Sequence, residues 1–499
     1  MASLYLGIDL GSSSVKVSIV DLSTSRAIAQ ATEPPDEMLI SAPMPGWAEQ
    51  DPSLWWQHTV HAIKAACKQL PSVGRAPSEI QAIGIAYQMH GLVTLDAQGS
   101  PIRPSIIWCD SRAVEIGNAA SAGLGATYLA SHTLNPIGNF TAAKWGWVVA
   151  EEARYRDRIA HIMLPGDYLA FRLTGERTTT AGGLSEGIMW DFALRDVARP
   201  VLNSLALSES AIPPLVPMMG VQGTVTREAA LETGLPSGIP ITYRAGDQPN
   251  NAFSLGVWSP GEVATTAGTS GVMYAVTDSR PYDEAGRVNT FLHVTDTPDT
   301  PRQGVLLCVN GTGSAYQYLR RLLSSERSVP LTYPELNALG DQAKIGADGL
   351  RVYPFGNGAE RMLGNANPGA RWVGLDFNRH QPAHLVRATL EGIAFALTEG
   401  LRVFDALDLP THCIRAGEAN LFLNPTFREM LATLVGTEIE LYETDGAAGA
   451  ARGAAIGVDH ADPQTAFGAL SCSRRIAPRP ADGAPLQEAY AAWREDLSI

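Results

Sequence analysis

Residues 6–20, LGIDLGSSSVKVSIV, and residues 263–276, VATTAGTSGVMYAV, follow the same plan in two distant parts of the chain. Each stretch runs from an apolar strand through a turn of small residues into a second apolar strand. Such a turn leaves backbone N–H groups and hydroxyls free to bind the oxygens of a phosphate chain. An ordinary hairpin is the alternative for either stretch alone. Because the pattern occurs twice and opens each half of the chain, the sequence favours a duplicated phosphate-binding turn.

We call residues 11–14 (GSSS) the first turn and residues 268–271 (GTSG) the second turn. Only the first turn follows an acid: Asp9 lies in its incoming strand, whereas Thr266 holds the corresponding place before the second. A carboxylate beside a phosphate site can hold Mg²⁺, so Asp9 is the candidate metal ligand. Its alternative role is to cap the turn through its own backbone. Lys16, in the outgoing strand, either reaches a phosphate or lies solvated on the hairpin.

Length and composition limit the classes of protein to which this chain can belong. A chain of 499 residues is too long for one typical core, which predicts two large domains. The net charge of −14 argues against nucleic acid or an anionic membrane as the main partner. The five cysteines have no CxxC spacing, which disfavours a disulfide framework or a cysteine zinc site and fits a reducing compartment. With no secretory pattern and no run of about 18 apolar residues, we expect a cytoplasmic protein outside the membrane.

Strands alternate with helical segments along the whole chain, which predicts an α/β fold with mixed sheets. The apolar strand 80–86 ends at YQMHG (87–91), and the short strand 241–244 ends at AGDQPNN (245–251). Ligands of such folds bind at the carboxyl ends of the strands, so both segments are well placed for a site. The Thr, Gly and Ser-rich residues 178–187 are predicted to form a loop. A domain boundary is expected near residues 246–256.

Four side chains in these segments and their neighbours can carry chemistry. Asp247, at the domain boundary, is a candidate general base, and its alternative role is that of a helix N-cap. Met89, His90 and Trp108 can line a polyol pocket with an apolar wall, an imidazole for hydroxyls and an indole for C–H faces. Their alternative roles are structural, as a satisfied buried histidine and core side chains. The absence of GxxxxGK[ST] excludes a Walker-type nucleotide site.

Taken as whole motifs, these segments resemble the FGGY carbohydrate kinases, which belong with actin and the heat-shock ATPases in one superfamily. DLGSSSVK (9–16) and TTAGTSG (265–271) resemble the two phosphate motifs of the family. ARWVGL (370–375) followed by HLVRATLE (384–391) resembles its C-terminal signature, and Lys144 and Trp147 match its N-terminal signature, from which Asn139 and Ala150 depart. AGDQPNNAFSLG (245–256) resembles the segment that holds the catalytic aspartate of the family.

The resemblance implies two actin-like (ribonuclease H-like) domains around a deep cleft, with residues 1–246 binding sugar and residues 247–499 binding nucleotide. It implies ATP as phosphoryl donor, Mg²⁺ held by Asp9, and Asp247 as the catalytic base. The implied sugar-binding residues are Met89, His90, Trp108, Asp110, Asp247 and Gln248. The implied nucleotide-binding residues are Gly11, Ser12, Ser13, Lys16, Gly268, Thr269, Ser270, Gly311, Gly417, Asn420 and Asn424.

The resemblance also suggests a substrate. QMHG (88–91) is similar to the motif of family members that phosphorylate xylulose, whereas members acting on glycerol carry Gln-Arg-Glu there. Action on ribulose, sedoheptulose or an alditol is the first alternative, and a non-catalytic sugar or ATP sensor is the second. The GGGA loop of the family is replaced by residues 416–419 (AGEA), where Glu418 is expected to crowd or repel the nucleotide. A homodimer is the general expectation for a soluble enzyme.

Overall fold

The computed structural model describes residues 4–24, 26–459, 463–468 and 470–497. The strands are β1 (Leu4–Leu10), β2 (Val15–Asp21), β3 (Arg26–Glu33), β4 (Glu49–Gln50), β5 (Ile80–Tyr87), β6 (Val93–Leu95), β7 (Ser105–Ile106), β8 (His161–Met163), β9 (Thr179–Thr180), β10 (Trp190–Asp191), β11 (Asp196–Val197), β12 (Leu215–Val216), β13 (Ile241–Gly246), β14 (Glu262–Ala267), β15 (Gly271–Thr277), β16 (Asn289–Leu292), β17 (Gln303–Val309), β18 (Arg351–Tyr353), β19 (Arg371–Val373), β20 (Cys413–Gly417), β21 (Ile439–Tyr442) and β22 (Cys472–Ile476).

The helices are α1 (Pro52–Cys67), α2 (Val114–Leu124), α3 (Ala126–Tyr128), α4 (Thr141–Glu151), α5 (Ala153–Arg156), α6 (Pro165–Thr174), α7 (Ala181–Glu186), α8 (Arg199–Ser204), α9 (Arg227–Thr233), α10 (Asp247–Ser254), α11 (Thr312–Leu323), α12 (Tyr333–Gly340), α13 (Pro382–Asp405), α14 (Pro425–Val435), α15 (Gly446–Asp459), α16 (Pro463–Phe467) and α17 (Pro480–Glu495). Among the described residues, no helix is both long and apolar enough to cross a membrane.

Two mixed sheets form the centres of two lobes. The sheet of the N-terminal lobe has the order β13-β5-β1-β2-β3, in which β1, β2 and β3 are antiparallel and β1, β5 and β13 are parallel. The sheet of the C-terminal lobe has the order β16-β17-β15-β14-β20-β21-β22 and repeats that plan around β14. The predicted α/β class, the mixed sheets and the internal duplication are therefore confirmed.

The two quoted stretches are the equivalent hairpins of the two sheets. In the first hairpin β1 pairs with β2, and the last pair, Leu10 with Val15, encloses the first turn. The amide of Gly11 donates to the carbonyl of Ser14 across that turn at 2.9 Å. In the second hairpin β14 pairs with β15 up to Ala267 and Gly271, so this pair encloses one residue fewer than the closing pair of the first hairpin. Each sheet thus presents one small-residue turn at the end of its central strand.

One helix from the C-terminal half of the chain packs on the N-terminal sheet. Helix α15 lies across β1, β5 and β13, and its alanines are buried against them. A side chain at Gly7 of β1 or Gly84 of β5 would overlap main-chain atoms of this helix, so only glycine permits the approach. The division of the sequence at residue 246 therefore does not separate two independently packed units.

The predicted loop over residues 178–187 is wrong, because the structure forms β9 and α7 there. The hydroxyl of Thr180 caps α7 by accepting from the amide of Gly183 at 3.0 Å. The run of Thr, Gly and Ser that reads as a loop is in fact a capped helix made of small residues. This helix carries Glu186 into the interior beside β13.

Candidate active site

A cavity of about 480 Å³ lies where the two lobes face each other. The first turn and the carboxyl ends of β1 and β5 form one wall, and the second turn, β15 and β17 form the other. Its lining residues are Asp9, Gly11, Ser12, Ser13, Ser14, Lys16, Gln88, Met89, His90, Trp108, Asp247, Gln248, Ser270, Val272, Leu306, Cys308 and Asn310. The fold therefore gathers residues that the sequence had assigned to sugar, metal and phosphate around one space.

Two carboxylates reach this cavity from different elements. Asp9 lies near the end of β1, and Asp247 is the first residue of α10, with Gly246 in the capping position before it. Burial raises the pKa of Asp9 to about 6, an effect that Lys16 opposes. Burial, and then the charge of Asp9, raise the pKa of Asp247 to about 7. A carboxyl with a pKa near 7 is well matched to accepting a proton at neutral pH.

The positive ends of two helices lie beside these acids. Helix α10 begins at Asp247, and α15 begins at Gly446, where any side chain would overlap the carboxylate of Asp9. The side-chain Nδ2 of Asn250 donates to the backbone carbonyl of Gly446 at 2.9 Å and links the starts of the two helices. In the described part of the chain, no backbone N–H bonds to the carboxylate of Asp9, so this group does not cap its turn. Helix N-termini and Lys16 favour an anion here, and the free carboxylate favours a cation.

The imidazole of His90 is held as a neutral hydrogen-bond acceptor. Its Nδ1 lies 2.9 Å from the carbonyl oxygen of Glu186, so Nδ1 must donate and Nε2 carries the free lone pair. Burial lowers the pKa of His90 to about 3, which keeps the ring neutral at physiological pH. The ring packs edge-on against Phe140 and lies beside Phe291 from the C-terminal sheet. This arrangement leaves Nε2 of His90 able to accept a hydrogen bond from a hydroxyl group in the cavity.

The backbone of His90 adopts a conformation that requires support. Its φ is 63°, in the left-handed region that non-glycine residues seldom occupy. The buried Lys144 donates from Nζ to the carbonyl of His90 at 2.8 Å. Burial lowers the pKa of Lys144 to about 7, while the nearby charge of Asp110 opposes that change. Lys144, which matches the N-terminal signature, therefore fixes the backbone of His90, a candidate sugar-binding residue.

Glu186 is a site-associated residue that the sequence did not reveal. Its side chain is 2% exposed, and Oε1 has no hydrogen-bond partner among the described residues. Its other oxygen lies against Gly246, directly before Asp247. Burial, and then the charge of Asp247, raise the pKa of Glu186 well above its usual range. Because residues 178–187 were predicted to form a loop, the sequence did not indicate that Glu186 would be buried beside Asp247.

Two predicted sugar-binding residues differ in how they meet the cavity. Trp108 lines it, is 53% exposed, and lies with Nε1 3.4 Å from the hydroxyl of Ser12. Asp110 does not line it, since its buried carboxylate pairs with Arg112 at 2.6 Å and accepts from the amide of Ala48 at 2.6 Å. Arg112 thus holds the carboxylate of Asp110 in the protein interior, outside the cavity lining, and a contact of Asp110 with sugar stays a prediction.

A second cavity, of about 380 Å³, opens on the other side of the second turn. Gly268 and Thr269 line it, whereas Ser270 of the same turn lines the first cavity. A chain of phosphates that crossed this turn would connect the two spaces. The lining residues are Ala267, Gly268, Thr269, Gly313, Ser314, Tyr316, Gln317, Tyr333, Asn337, Asn420, Leu421, Leu423 and Asn424. The tyrosines and Asn337 were missed because their spacing on amphipathic helices is typical of core residues.

Three residues expected in the nucleotide region lie outside both cavity linings, and their roles toward a nucleotide stay predictions. Gly311 caps α11 with φ of 98° and packs against the carbonyl of Pro354. Gly417 ends β20 and also lies outside both linings. Glu418 does not line the second cavity, because its carboxylate lies 3.5 Å from Nε of Arg474. The expected effect of Glu418 on the nucleotide stays a prediction.

Comparisons with known proteins agree with this arrangement. The model of the N-terminal domain of the FGGY family of carbohydrate kinases matches residues 4–254, and that of the C-terminal domain matches residues 263–458. A xylulose kinase of Escherichia coli is 32% identical over 457 residues, 91% of this chain and 89% of the relative. A xylulose kinase of Klebsiella pneumoniae is 32% identical over 460 residues, with the same coverage of both chains.

A solved structure extends the likeness to three dimensions. The crystal structure of a xylulose kinase from Rhodospirillum rubrum has a TM-score of 0.88 and 26% sequence identity, over 99% of this chain and 98% of the other. The family assignment rests on the duplicated hairpins, the actin-like lobes on either side of a cleft and the two family models. The chain belongs to the FGGY family of carbohydrate kinases.

Proposed function

We propose that this carbohydrate kinase transfers the γ-phosphoryl group of ATP to a hydroxyl of a ketose, with D-xylulose giving D-xylulose 5-phosphate. One observation carries the proposal: Asp247, with a pKa raised to about 7, lines the same cavity as Met89, His90 and the first turn. A proton acceptor, polyol-binding groups and a phosphate-binding turn thus share one space. The curated xylulose kinases that cover most of the chain support this choice of sugar.

The sugar would bind mainly to the N-terminal lobe. Nε2 of His90 would accept a hydrogen bond from one hydroxyl, Trp108 would cover a C–H face, and Gln248 would bind a further hydroxyl. Asp247 would accept the proton of the attacking hydroxyl while the hydroxyl oxygen bonds to the γ-phosphorus, and the bond from that phosphorus to the bridging oxygen would break to release ADP. Because that carboxyl lies between two lobes, their closure would expel water and protect ATP from hydrolysis.

The triphosphate would lie along the two turns. Gly11, Ser12 and Ser13 offer N–H and hydroxyl groups on one side of the first cavity, and Ser270 does so on the other. The adenosine would occupy the second cavity, with Asn420 and Asn424 at its rim. These donors stabilise negative charge that spreads over the transferred group, which is the main requirement of phosphoryl transfer.

Asp9 fits the metal that such a reaction uses. Its carboxylate is free of backbone hydrogen bonds in the described part of the chain, lines the cavity beside the first turn, and is an oxygen ligand of the kind Mg²⁺ prefers. Mg²⁺ bound there would neutralise charge on the phosphate oxygens. Lys16, on the neighbouring strand, would bind a phosphate oxygen from the same side.

The test is ADP release from Mg²⁺-ATP over a panel of D-xylulose, D-ribulose, sedoheptulose and alditols. We expect release with D-xylulose and a fall in kcat of about 10²–10⁴-fold in Asp247→Asn, the usual contribution of a positioned base. Asp157→Asn, at an exposed carboxylate, is the matched control and should retain activity.

Each other result has a defined meaning. Preference for another sugar would keep the chemistry and replace the substrate. ATP binding without any sugar-dependent release would contradict the kinase proposal and favour a sensor. Full turnover in Asp247→Asn would remove the base assignment.

A further inference from the structure

We propose that Glu33, His58 and His61 form a zinc site on the N-terminal lobe, separate from the phosphoryl-transfer cavity. Each residue offers one ligand atom, and these three atoms lie within 4.8 Å of one another. None of the three residues lines either of the two cavities described above. Two imidazoles, one carboxylate and an open fourth position form a ligand set typical of protein-bound zinc.

The fold brings the three ligands together from two elements. His58 and His61 are one helical turn apart on α1, which puts both on the same face of the helix. Glu33 is the last residue of β3, a strand that packs against α1. Because helix and strand are both fixed by the core of the lobe, the site is largely built before any metal arrives.

These side chains are not engaged elsewhere. Within the described residues, no side-chain hydrogen bond or ion pair joins Glu33, His58 or His61 to a partner, and Nδ1 of His58 is buried without one. The two imidazole rings meet nearly edge-on, with centroids 6.5 Å apart. A buried imidazole nitrogen that lacks a partner carries a desolvation cost, which a metal or an ordered partner would relieve.

The three ligand atoms, which lie within 4.8 Å of one another, must move closer together to bind a single zinc ion. Zinc ligands about 2.1 Å from the ion lie roughly 3.4 Å apart. Side-chain rotations of Glu33 and of the exposed His61 can supply the remaining contraction.

A metal at this place would join the end of β3 to α1. The segment that follows Glu33 runs to the first turn, where the amide of Met38 donates to the carbonyl of Ser13 at 2.8 Å. Zinc would therefore stabilise the N-terminal lobe beside the phosphate-binding segment without touching substrate. This assignment is independent of the proposed sugar chemistry.

The test measures zinc on the full chain without nucleotide, sugar or magnesium. Protein stripped with EDTA is dialysed against micromolar zinc, and bound metal is counted by mass spectrometry and titration calorimetry. We expect one zinc per chain and a higher midpoint of thermal unfolding with zinc present, because a ligand that binds only the folded state stabilises it. Co²⁺ in place of zinc should give the visible bands of a low-coordinate site.

Variants of the ligands decide the outcome. His61→Ala and Glu33→Gln should each weaken zinc binding by at least about 10–100-fold, the loss seen even for outer partners of metal ligands. Gln57→Ala, at an exposed position of the same helix, is the matched control and should bind zinc as the wild type does. Failure of the wild type to bind zinc, or equal zinc binding by all variants, would overturn the proposal. Circular dichroism of each variant confirms that a lost signal is not lost folding.

Discussion

Asp247→Asn should make the protein more stable at alkaline pH while it abolishes most catalysis. Burial and the charge of Asp9 raise the pKa of Asp247 from 3.8 to about 7, so the folded chain binds this proton more tightly than the unfolded chain. The stability from this proton is complete below about pH 4 and is lost as pH rises through about 7. Asparagine cannot ionise, so the variant escapes that loss.

The magnitude follows from the shift. Each pKa unit corresponds to about 1.4 kcal/mol, so a rise of about three units makes the full loss about 4 kcal/mol. About two thirds of that loss occurs between about pH 5 and about pH 8.5, because the pKa of Asp247 in the folded chain is about 7. The unfolding free energy of Asp247→Asn relative to wild type should therefore grow by about 3 kcal/mol over that interval.

Urea unfolding followed by tryptophan fluorescence, at several pH values in EDTA and without nucleotide, measures this difference. Asp157→Asn is the control, since that carboxylate is exposed and lies outside the cleft. Parallel pH dependences of wild type and Asp247→Asn would refute the argument, because they would mean that the carboxyl is as well solvated in the cleft as in the unfolded chain.

Three further predictions concern the surroundings of the cleft. Lys144→Met should raise the KM for sugar more than it lowers kcat, since it removes the donor that holds the His90 carbonyl; initial rates over a sugar titration measure the split. Glu186→Gln should keep kcat near pH 7 within about threefold, because burial already holds that carboxyl in its neutral form, and a larger loss would show that the charged form is needed. Gly7→Ala should lower the unfolding free energy by about 3 kcal/mol or more, because its side chain would overlap the main chain of α15. Gly483→Ala, at a helical position with open space around it, is the control and should be neutral or stabilise by up to about 1 kcal/mol. Urea unfolding measures both variants.

The parts of the site that the sequence predicted are those encoded locally. Asp9 lies near the end of β1, and the first turn and residues 88–91 each follow an apolar strand, whose carboxyl end fixes where the next residues lie. Asp247 was found for the same reason, at the end of β13. Local pattern thus sufficed wherever the backbone itself points a residue into the cleft.

The residues that the sequence missed depend on contacts between distant elements. Glu186 is buried only because α7, whose sequence predicted a loop, packs beside β13. Tyr316 lines the second cavity although its spacing on α11 is that of a core residue. Gly311 packs so closely against the carbonyl of Pro354 that no side chain fits there, and this contact between distant segments was not visible in the sequence.

Helix α15 also governs the order in which the chain can be completed during synthesis. It covers the face of β1, β5 and β13, although it is encoded almost a whole lobe later in the sequence. A nascent chain that ends at Gly246 lacks α15 and therefore exposes that apolar face, including Gly7 and Gly84, against which the helix packs. The N-terminal lobe cannot finish folding until residue 459 has left the ribosome, and a fragment ended at the apparent domain boundary would present an aggregation-prone sheet rather than a separate sugar-binding module.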